Sequence, residues 1–159
     1  VNVSRFNGRI IGVGGFVNIS QYARKVIFSG TFTAGKLDIS WQNGKTAIHQ
    51  DGKFKKFVKA LEQVSYSGPF AHEREQEALY ITERAVFRRY ESGLELIEIA
   101  PGIELERDIL KQMEFQPAVS PHLKEMDARI FHEEKMGLQK DLAVKNRTNI
   151  PTRLKEGWI

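Results

Sequence analysis

Gly8-Arg-Ile-Ile-Gly12-Val-Gly14-Gly15-Phe-Val-Asn18-Ile-Ser20 is the stretch on which the fold turns. Just before it, Val1, Val3 and Phe6 alternate with polar Asn2 and Ser4, the period of a half-buried strand. The glycines then make a turn in which backbone can approach a neighbour closely, since no Cβ intervenes. Phe16 to Ala23 suits a short helix, and Lys25-Val-Ile-Phe28 reads as a buried strand. Strand, glycine turn, helix and strand form a βαβ-like unit. That order predicts an α/β fold, with an open parallel-type sheet around residues 1–30.

The middle of the chain reads differently. Asn43-Gly44 and Asp51-Gly52 supply residues that tolerate positive φ, so both predict hairpin turns linking strands near 36–42, 45–50 and 53–58 into a meander. Gln63 to Ser67 follows as a further strand, broken by Gly68-Pro69, and Pro69 to Glu77 is a short helix or a loop. Leu79 to Phe87 and Leu94 to Ile99 read as two more strands, joined at Tyr90-Glu-Ser-Gly93. Leu105, Ile109, Leu110 and Met113 share one helical face. Ser120-Pro121 has the form of a helix start, and Leu123, Met126, Ile130 and Phe131 extend an amphipathic helix to about Lys135. The expected fold is therefore a parallel-type sheet with an antiparallel strand addition and two C-terminal helices.

Beyond Gly137 the composition shifts. Lys140, Lys145, Arg147, Arg153 and Lys155 stand against Asp141 and Glu156, with few large apolar groups until Trp158 and Ile159. We read residues 1–137 as one domain and 138–159 as a basic tail or docking arm.

A chain of 159 residues suits one domain that buries roughly two thirds of its unfolded surface. A hydrophobic fraction of 41% and a charged fraction of 28% argue against a disordered or fibrous chain. The absence of cysteine excludes disulfides, thiolate metal sites and a cysteine nucleophile, and suits a reducing compartment. A net charge of +4 fits an anionic small molecule about as well as a polyanion. No apolar run approaches the roughly 20 residues that span a bilayer, so no membrane partner is expected. There is no signal-peptide pattern, and Val1 in place of Met leaves targeting unread.

Three motifs carry a resemblance. The most specific is Ile81-Thr-Glu-Arg-Ala-Val-Phe87 with the following Gly93-Leu-Glu-Leu-Ile-Glu-Ile-Ala-Pro-Gly102; next come the Leu105–Met113 helix and the glycine turn. Through them, residues 1 to about 138 resemble the C-terminal part of the acetate/propionate-type (3-oxoacid) CoA-transferases. The resemblance implies transfer of coenzyme A between a short-chain acyl-CoA and a free carboxylate. In such enzymes a glutamate attacks the thioester to form an anhydride, which CoA thiolate converts to a glutamyl-CoA thioester. That nucleophile lies well before the glycine motif, so it is expected outside this chain, which alone should be inactive. What matches is the oxyanion side: Gly14 and Gly15 as backbone donors, Gly12 shaping the turn, and Asn18 where relatives often carry Asp. A preorganised N–H there stabilises charge that appears only in the transition state. The resemblance further implies coenzyme A as substrate and no permanent cofactor. Its implied partners are the N-terminal remainder, as a segment or a separate chain, and an oligomer. The implied setting is the cytoplasm, with the mitochondrial matrix as the alternative.

Other features are weighed against plainer accounts. A dinucleotide fingerprint fails, because the place of its third glycine is Val17. Glu91 caps a turn between short strands, where a solvated charge is the default and a nucleophile is not. Glu83 and Arg84, in an apolar strand region, must pair or face water, and read as an ion-paired element at a sheet edge or subunit contact. His49, His72, His122 and His132 make no metal pattern, so no metal is expected. Lys53, Lys55, Lys56 and Lys59 around Phe54 and Phe57 fit a lysine-protected edge strand better than a nucleic-acid groove, although CoA phosphates are a further conceivable contact. A non-catalytic acyl-CoA-binding or truncated fragment and a nucleic-acid-binding module are the rival readings.

Overall fold

The computed structural model describes residues 1–91 and 93–144. The basic stretch 145–159 and Ser92 lie outside the described residues. Strands β1 (Arg5–Phe6) and β2 (Arg9–Ile10) form a tight hairpin around Asn7 and Gly8, both at positive φ. The expected strand over residues 1–6 is cut short, because the Asn2 side chain folds back to accept the Ser4 and Arg5 amides. Val1 instead offers its carbonyl to the amides of Ser65 and Tyr66, and that interaction also replaces the expected strand at 63–67. Helix α1 (Phe16–Tyr22) and strand β3 (Lys25–Ser29) follow as the sequence suggests, but β3 alone of the first thirty residues joins the main sheet.

Asn43-Gly44 turns β5 (Asp38–Gln42) into β6 (Lys45–Gln50), with positive φ at both central residues. Asp51-Gly52 does not make a second hairpin with the next strand. Short β7 (Phe54–Lys55) pairs with β4 (Thr33–Ala34), because Asp51 is drawn to Thr33 and Arg84 and Gly52 lies against the Ala34 backbone. Helix α2 (Gly68–Glu73) is capped by Ser67, whose Oγ accepts the Phe70 amide, with Pro69 in its first turn.

The expected strand over 79–87 is two strands, β8 (Glu77–Ile81) and β9 (Ala85–Tyr90). Thr82 splits it, its hydroxyl bonding both the carbonyl and the amide of Ala85. With β10 (Gly93–Ile99) and β11 (Ala118–Glu125) the main sheet runs β11-β10-β9-β8-β3, parallel at both margins and antiparallel between. The fold is thus α/β with the antiparallel addition the sequence suggested.

Residues 105–113 are helical, as a π-helical turn (Leu105–Ile109) running into a 3₁₀ turn (Leu110–Gln112). The expected helix from Ser120 to Lys135 is absent. That region is strand β11 followed by a single 3₁₀ turn, Ala128–Phe131. Pro121 is tolerated because, among the described residues, β11 has a strand neighbour on one side alone, and the register jumps across it, from Leu96↔Val119 to Glu98↔Lys124. Leu123 and Met126 still reach the core, but Ile130 is more than half exposed, so the helical period was shared by chance.

The core gathers Phe32, Phe87, Leu96, Ile109 and Met113, with Phe57 packed between Phe32 and Phe87. A smaller cluster of Tyr66, Ala71 and Ala78 lies under α1 and α2, with Phe16, Val26 and Phe28 packed on it. Arg84 is fully buried. Its Nε donates to Glu83 (2.7 Å), its Nη1 donates to the Asp108 carbonyl (3.0 Å), and Nη2 sits 2.8 Å from Asp51 but off the direction of a hydrogen bond. The guanidinium also lies over the Phe32 ring. Glu83 and Arg84 are therefore paired, at an interior strand junction and not at a sheet edge.

Two outcomes follow for stability. Arg84→Met leaves Glu83 and Asp51 without their shared cation and should cost about 3–5 kcal/mol in urea unfolding. Burial pushes the Asp108 carboxyl up, but hydrogen bonds from Arg107 and the Glu104 amide, with the charges of Arg107 and Arg84, more than offset it, so the net shift is downward. Asp108 therefore adds stability that is present above the unfolded carboxylate value of about 4 and is lost as pH falls through its lowered folded value. Asp108→Asn should flatten that acid limb in a pH series of thermal melts.

Candidate functional site

Gly12 and Gly14 hold φ of +83° and +51°, a region that L side chains adopt at a cost, so the turn requires glycine at both. Gly15 returns to right-handed geometry as the N-cap of α1. A left-handed residue followed by a right-handed one turns successive N–H groups toward one side, the arrangement that cradles anions. The Val13 carbonyl accepts the Phe16 amide (3.0 Å) and the Gly15 carbonyl accepts the Ile19 amide (3.1 Å). The amides of Gly14 and Gly15 enter none of the turn or loop hydrogen bonds among the described residues. A Cβ on Gly12 or Gly14 would meet nothing within 4 Å, so the space above the turn is open. Asn18 is exposed on the first turn of α1. The four expected site residues thus lie together on one exposed loop-to-helix junction.

Their place in the sheet follows from packing. Phe16, the first residue of α1, sits 6.1 Å from Phe28 near the end of β3, so the glycine turn stands at the carboxyl end of a parallel strand. Ligands of open α/β sheets bind at that end. The other end of α1 borders a cleft of about 310 Å³ lined by Tyr22, Arg24, Arg74, Glu75, Gln76 and Glu77. That cleft lies at the amino ends of β3 and β8, carries both signs of charge, and has Arg74 resting over the Tyr22 and Phe70 rings. It is a packing seam, and we place no site there.

Sequence reasoning missed what holds α1 in place. Gln76 is buried, and its Nε2 donates to the Ser20 and Ala23 carbonyls at the end of α1, while its Oε1 accepts the Tyr66 hydroxyl (2.9 Å). Burial pushes the Tyr66 phenol up, partly countered by Arg89, so the hydroxyl stays protonated and able to donate. Within a polar stretch that reads as loop or short helix, nothing marks Gln76 as buried.

The remaining candidates disperse. His49 bonds Ser40, His72 bonds Arg89, and His132 packs on Gly44. Among the described residues no three His, Cys, Asp or Glu side chains gather as a metal site. Glu91 is exposed at positive φ in its turn. Lys55 and Lys56 donate to the carbonyls of Lys111 and Thr31, and Phe57 is committed to the core. This corrects the picture of a lysine-lined edge strand over 53–58, since β7 is two residues long and its lysines are partly used as caps. No helix among the described residues is long and apolar enough to cross a membrane.

An α/β sheet with an open glycine turn at a strand's carboxyl end is the frame of an acyl- or phosphate-handling site, and comparison narrows it. No family model matches the chain. Acetate CoA-transferase YdiF of Escherichia coli K12 is 51% identical over 137 residues, 86% of this chain and 26% of that protein. Caffeate CoA-transferase of Acetobacterium woodii is 48% identical over 143 residues, 87% of this chain and 27% of that protein. Crystal structures of the acyl-CoA transferase YdiF from E. coli O157:H7, one an apoenzyme and one a thioester complex with CoA, superpose with a TM-score of 0.84 over 86% of this chain and 27% of theirs. A variant of the decarboxylase AibA/AibB, at 14% identity and a TM-score of 0.54, shares the fold alone. Over the matched residues the chain corresponds to the C-terminal-type portion of these CoA-transferases, and it spans about a quarter of their length.

Gln76→Leu removes both donors to the end of α1 and strands the Tyr66 hydroxyl. It should cost about 1–3 kcal/mol and speed amide hydrogen exchange through residues 16–22 while 85–99 stay protected.

Proposed function

We propose that these residues supply the oxyanion side of a CoA-transferase active site, with the Gly14 and Gly15 amides receiving the thioester oxygen as it becomes negative. The observation that carries the reading is an exposed glycine turn at a strand's carboxyl end, in a chain half identical to CoA-transferases over most of its length. Two successive amides that enter none of the turn's own hydrogen bonds are free to receive charge as it develops, which is where such donors gain their effect. Gly12 sets the turn, and Asn18, exposed on the first turn of α1, is the side chain proposed to contact the acyl group.

The attacking glutamate, in this reading, comes from the remainder of the enzyme. It forms an acyl-glutamyl anhydride with release of CoA thiolate, and the thiolate then attacks the glutamyl carbonyl to give glutamyl-CoA and the free carboxylate. A second carboxylate reverses the sequence. Coenzyme A is a substrate that is exchanged, and the chain by itself has no turnover. The acyl group is set elsewhere: a named acetate enzyme and a named caffeate enzyme match this quarter almost equally well, although their acids differ greatly in size.

The test is CoA exchange from acetyl-CoA to a second carboxylate. It is run with the pure chain and with the chain co-expressed beside the remaining three quarters of YdiF. Exchange in the second sample and not the first supports the reading, and turnover by the pure chain contradicts it. In the active assembly, Gly15→Pro is the sharper probe. Gly15 has φ of −82° at a helix start, within the range proline adopts, so the change deletes one amide, and a circular-dichroism melt checks that the turn at Gly14 survives it. We expect kcat to fall roughly 100- to 1,000-fold, as for loss of one oxyanion donor. Gly15→Ala keeps the amide and should retain most activity.

A further inference from the structure

The carboxyl end of β3 holds a cation that the oxyanion reading does not use. Strand β3 ends at Ser29, and the loop after it is fixed at two points: the Gly30 amide donates to the Ile81 carbonyl (3.1 Å) and the Phe32 amide to Glu83 (2.8 Å). Lys56 reaches this loop, its Nζ donating to the Thr31 carbonyl at 2.6 Å. Gly30 makes room for it, since a Cβ there would stand 3.1 Å from the Lys56 Nζ. The backbone that carries Lys56 is anchored as well. Phe57 packs on Phe32 and Phe87, and Phe54 meets Phe6 of the β1–β2 hairpin edge to face at 5.5 Å. That hairpin leads directly into the glycine turn, which Phe16 on Phe28 holds near the end of β3. The Lys56 amine and the glycine turn are thereby brought to the same end of the same strand.

Most exposed lysines belong to solvated faces, and two observations set this one apart. Ordering a lysine side chain carries one of the larger entropy costs of any residue, yet Lys56 is exposed and still tied down. It also has no carboxylate partner among the described residues, whereas Lys25 is matched by Glu77 and Lys124 by Glu98. An ammonium has three donors. Thr31 takes one of them, and no side chain among the described residues takes the others. Lys55 is tied in the same manner, but to the Lys111 carbonyl on the helical segment. The two neighbours make the same bond in different places, and only Lys56 is held at the loop that follows β3.

We infer that Lys56 is a substrate-binding residue, whose ammonium receives an anionic oxygen of a molecule bound at the glycine turn. The inference rests on the proposed reading of that turn as part of a CoA-transferase site. Two substrates of such a site carry the chemistry, the free carboxylate and the phosphates of coenzyme A, and a compact ammonium binds either as a point charge. Both groups are anionic before the reaction begins. The contact therefore strengthens binding of the ground state, and its loss should fall on KM more than on kcat.

The experiment is initial-rate kinetics of the 159-residue chain co-expressed with the remaining three quarters of YdiF, with acetyl-CoA and propionate varied in turn. Lys56→Gln should raise one KM at least about tenfold, the loss expected of one charge-assisted hydrogen bond, with kcat held within about twofold. A rise for propionate names the carboxylate as the anion, and a rise for acetyl-CoA names the phosphates. Lys56→Arg keeps the charge and should recover most of the loss. Lys55→Gln removes the same charge one residue away and should change either KM less than about twofold. Unaltered KM values in Lys56→Gln overturn the inference, and so does an equal effect of Lys55→Gln, which is the mark of a diffuse field.

A titration of the chain alone with CoA and with propionate, followed by the amide resonances of Gly14, Gly15 and Thr31, keeps the test independent of turnover. There Lys56→Gln should weaken at least one Kd about fivefold or more. If the assembly is inactive, this titration decides. A Kd that depends on Lys56 keeps the anion site and defeats the oxyanion reading, whereas no binding, or binding indifferent to Lys56, overturns the inference. CoA exchange that proceeds in Lys56→Gln with unchanged constants keeps the oxyanion reading and defeats the anion site.

Discussion

One buried guanidinium organises this molecule. Arg84 stands at the junction of β8 and β9 and is tied to Glu83 beside it, Asp51 at the end of β6, the Asp108 carbonyl in the helical segment, and the Phe32 ring beyond β3. Glu83 in turn accepts the Phe32 amide at 2.8 Å. Four separate pieces of chain are thereby fixed around one charge, and none of those pieces is long enough to hold its own position by regular structure. A cation removed from water is tolerable when opposite charge surrounds it, and here two carboxylates, a carbonyl and an aromatic face do so, with Nη2 held to Asp51 by charge alone.

From that centre the frame extends to the glycine turn by a second polar tie. Gln76 fixes the carboxyl end of α1, and Phe16 on Phe28 fixes its amino end, so a helix of barely two turns is held at both extremities. The glycine turn needs that support because it makes few bonds of its own. The proposed donor role would require amides that are unoccupied beforehand and still rigid, and rigidity borrowed from the next element reconciles the two demands.

Much of this is legible in the sequence, unevenly and for physical reasons. Local chemistry announces itself: Asn43-Gly44 makes its hairpin, Ser67 and Pro69 cap their helix, and Gly12 and Gly14 take the backbone angles that their lack of Cβ permits. The pairing of β3 with β8 is hidden, because register across a long connection leaves no local mark. Residues 120–135 read as helix since Leu123, Met126, Ile130 and Phe131 fit a helical period, while the deciding fact, that β11 pairs with β10 and no other strand among the described residues, is a property of the assembled sheet. Asp51-Gly52 misleads in the opposite way: a strong turn signal is overridden by attraction between Asp51 and a distant arginine. As for the proposed site, the glycine turn can be read, and the buried Gln76 that steadies the helix behind it cannot.

The parallel pairing of β3 with β8 also sets an order of events. Strands β8, β9 and β10 are joined by tight turns and pair antiparallel, so their ladders close short loops. Strand β3 must instead find a partner about fifty residues away, and the entropy of closing that loop is lost before any contact repays it. The meander should therefore assemble first, and the segment bearing the glycine turn should dock late. Newly made chain would then hold its glycine-turn end loose until nearly everything else is in place, a window in which the exposed strand can be captured by whatever partner is nearest.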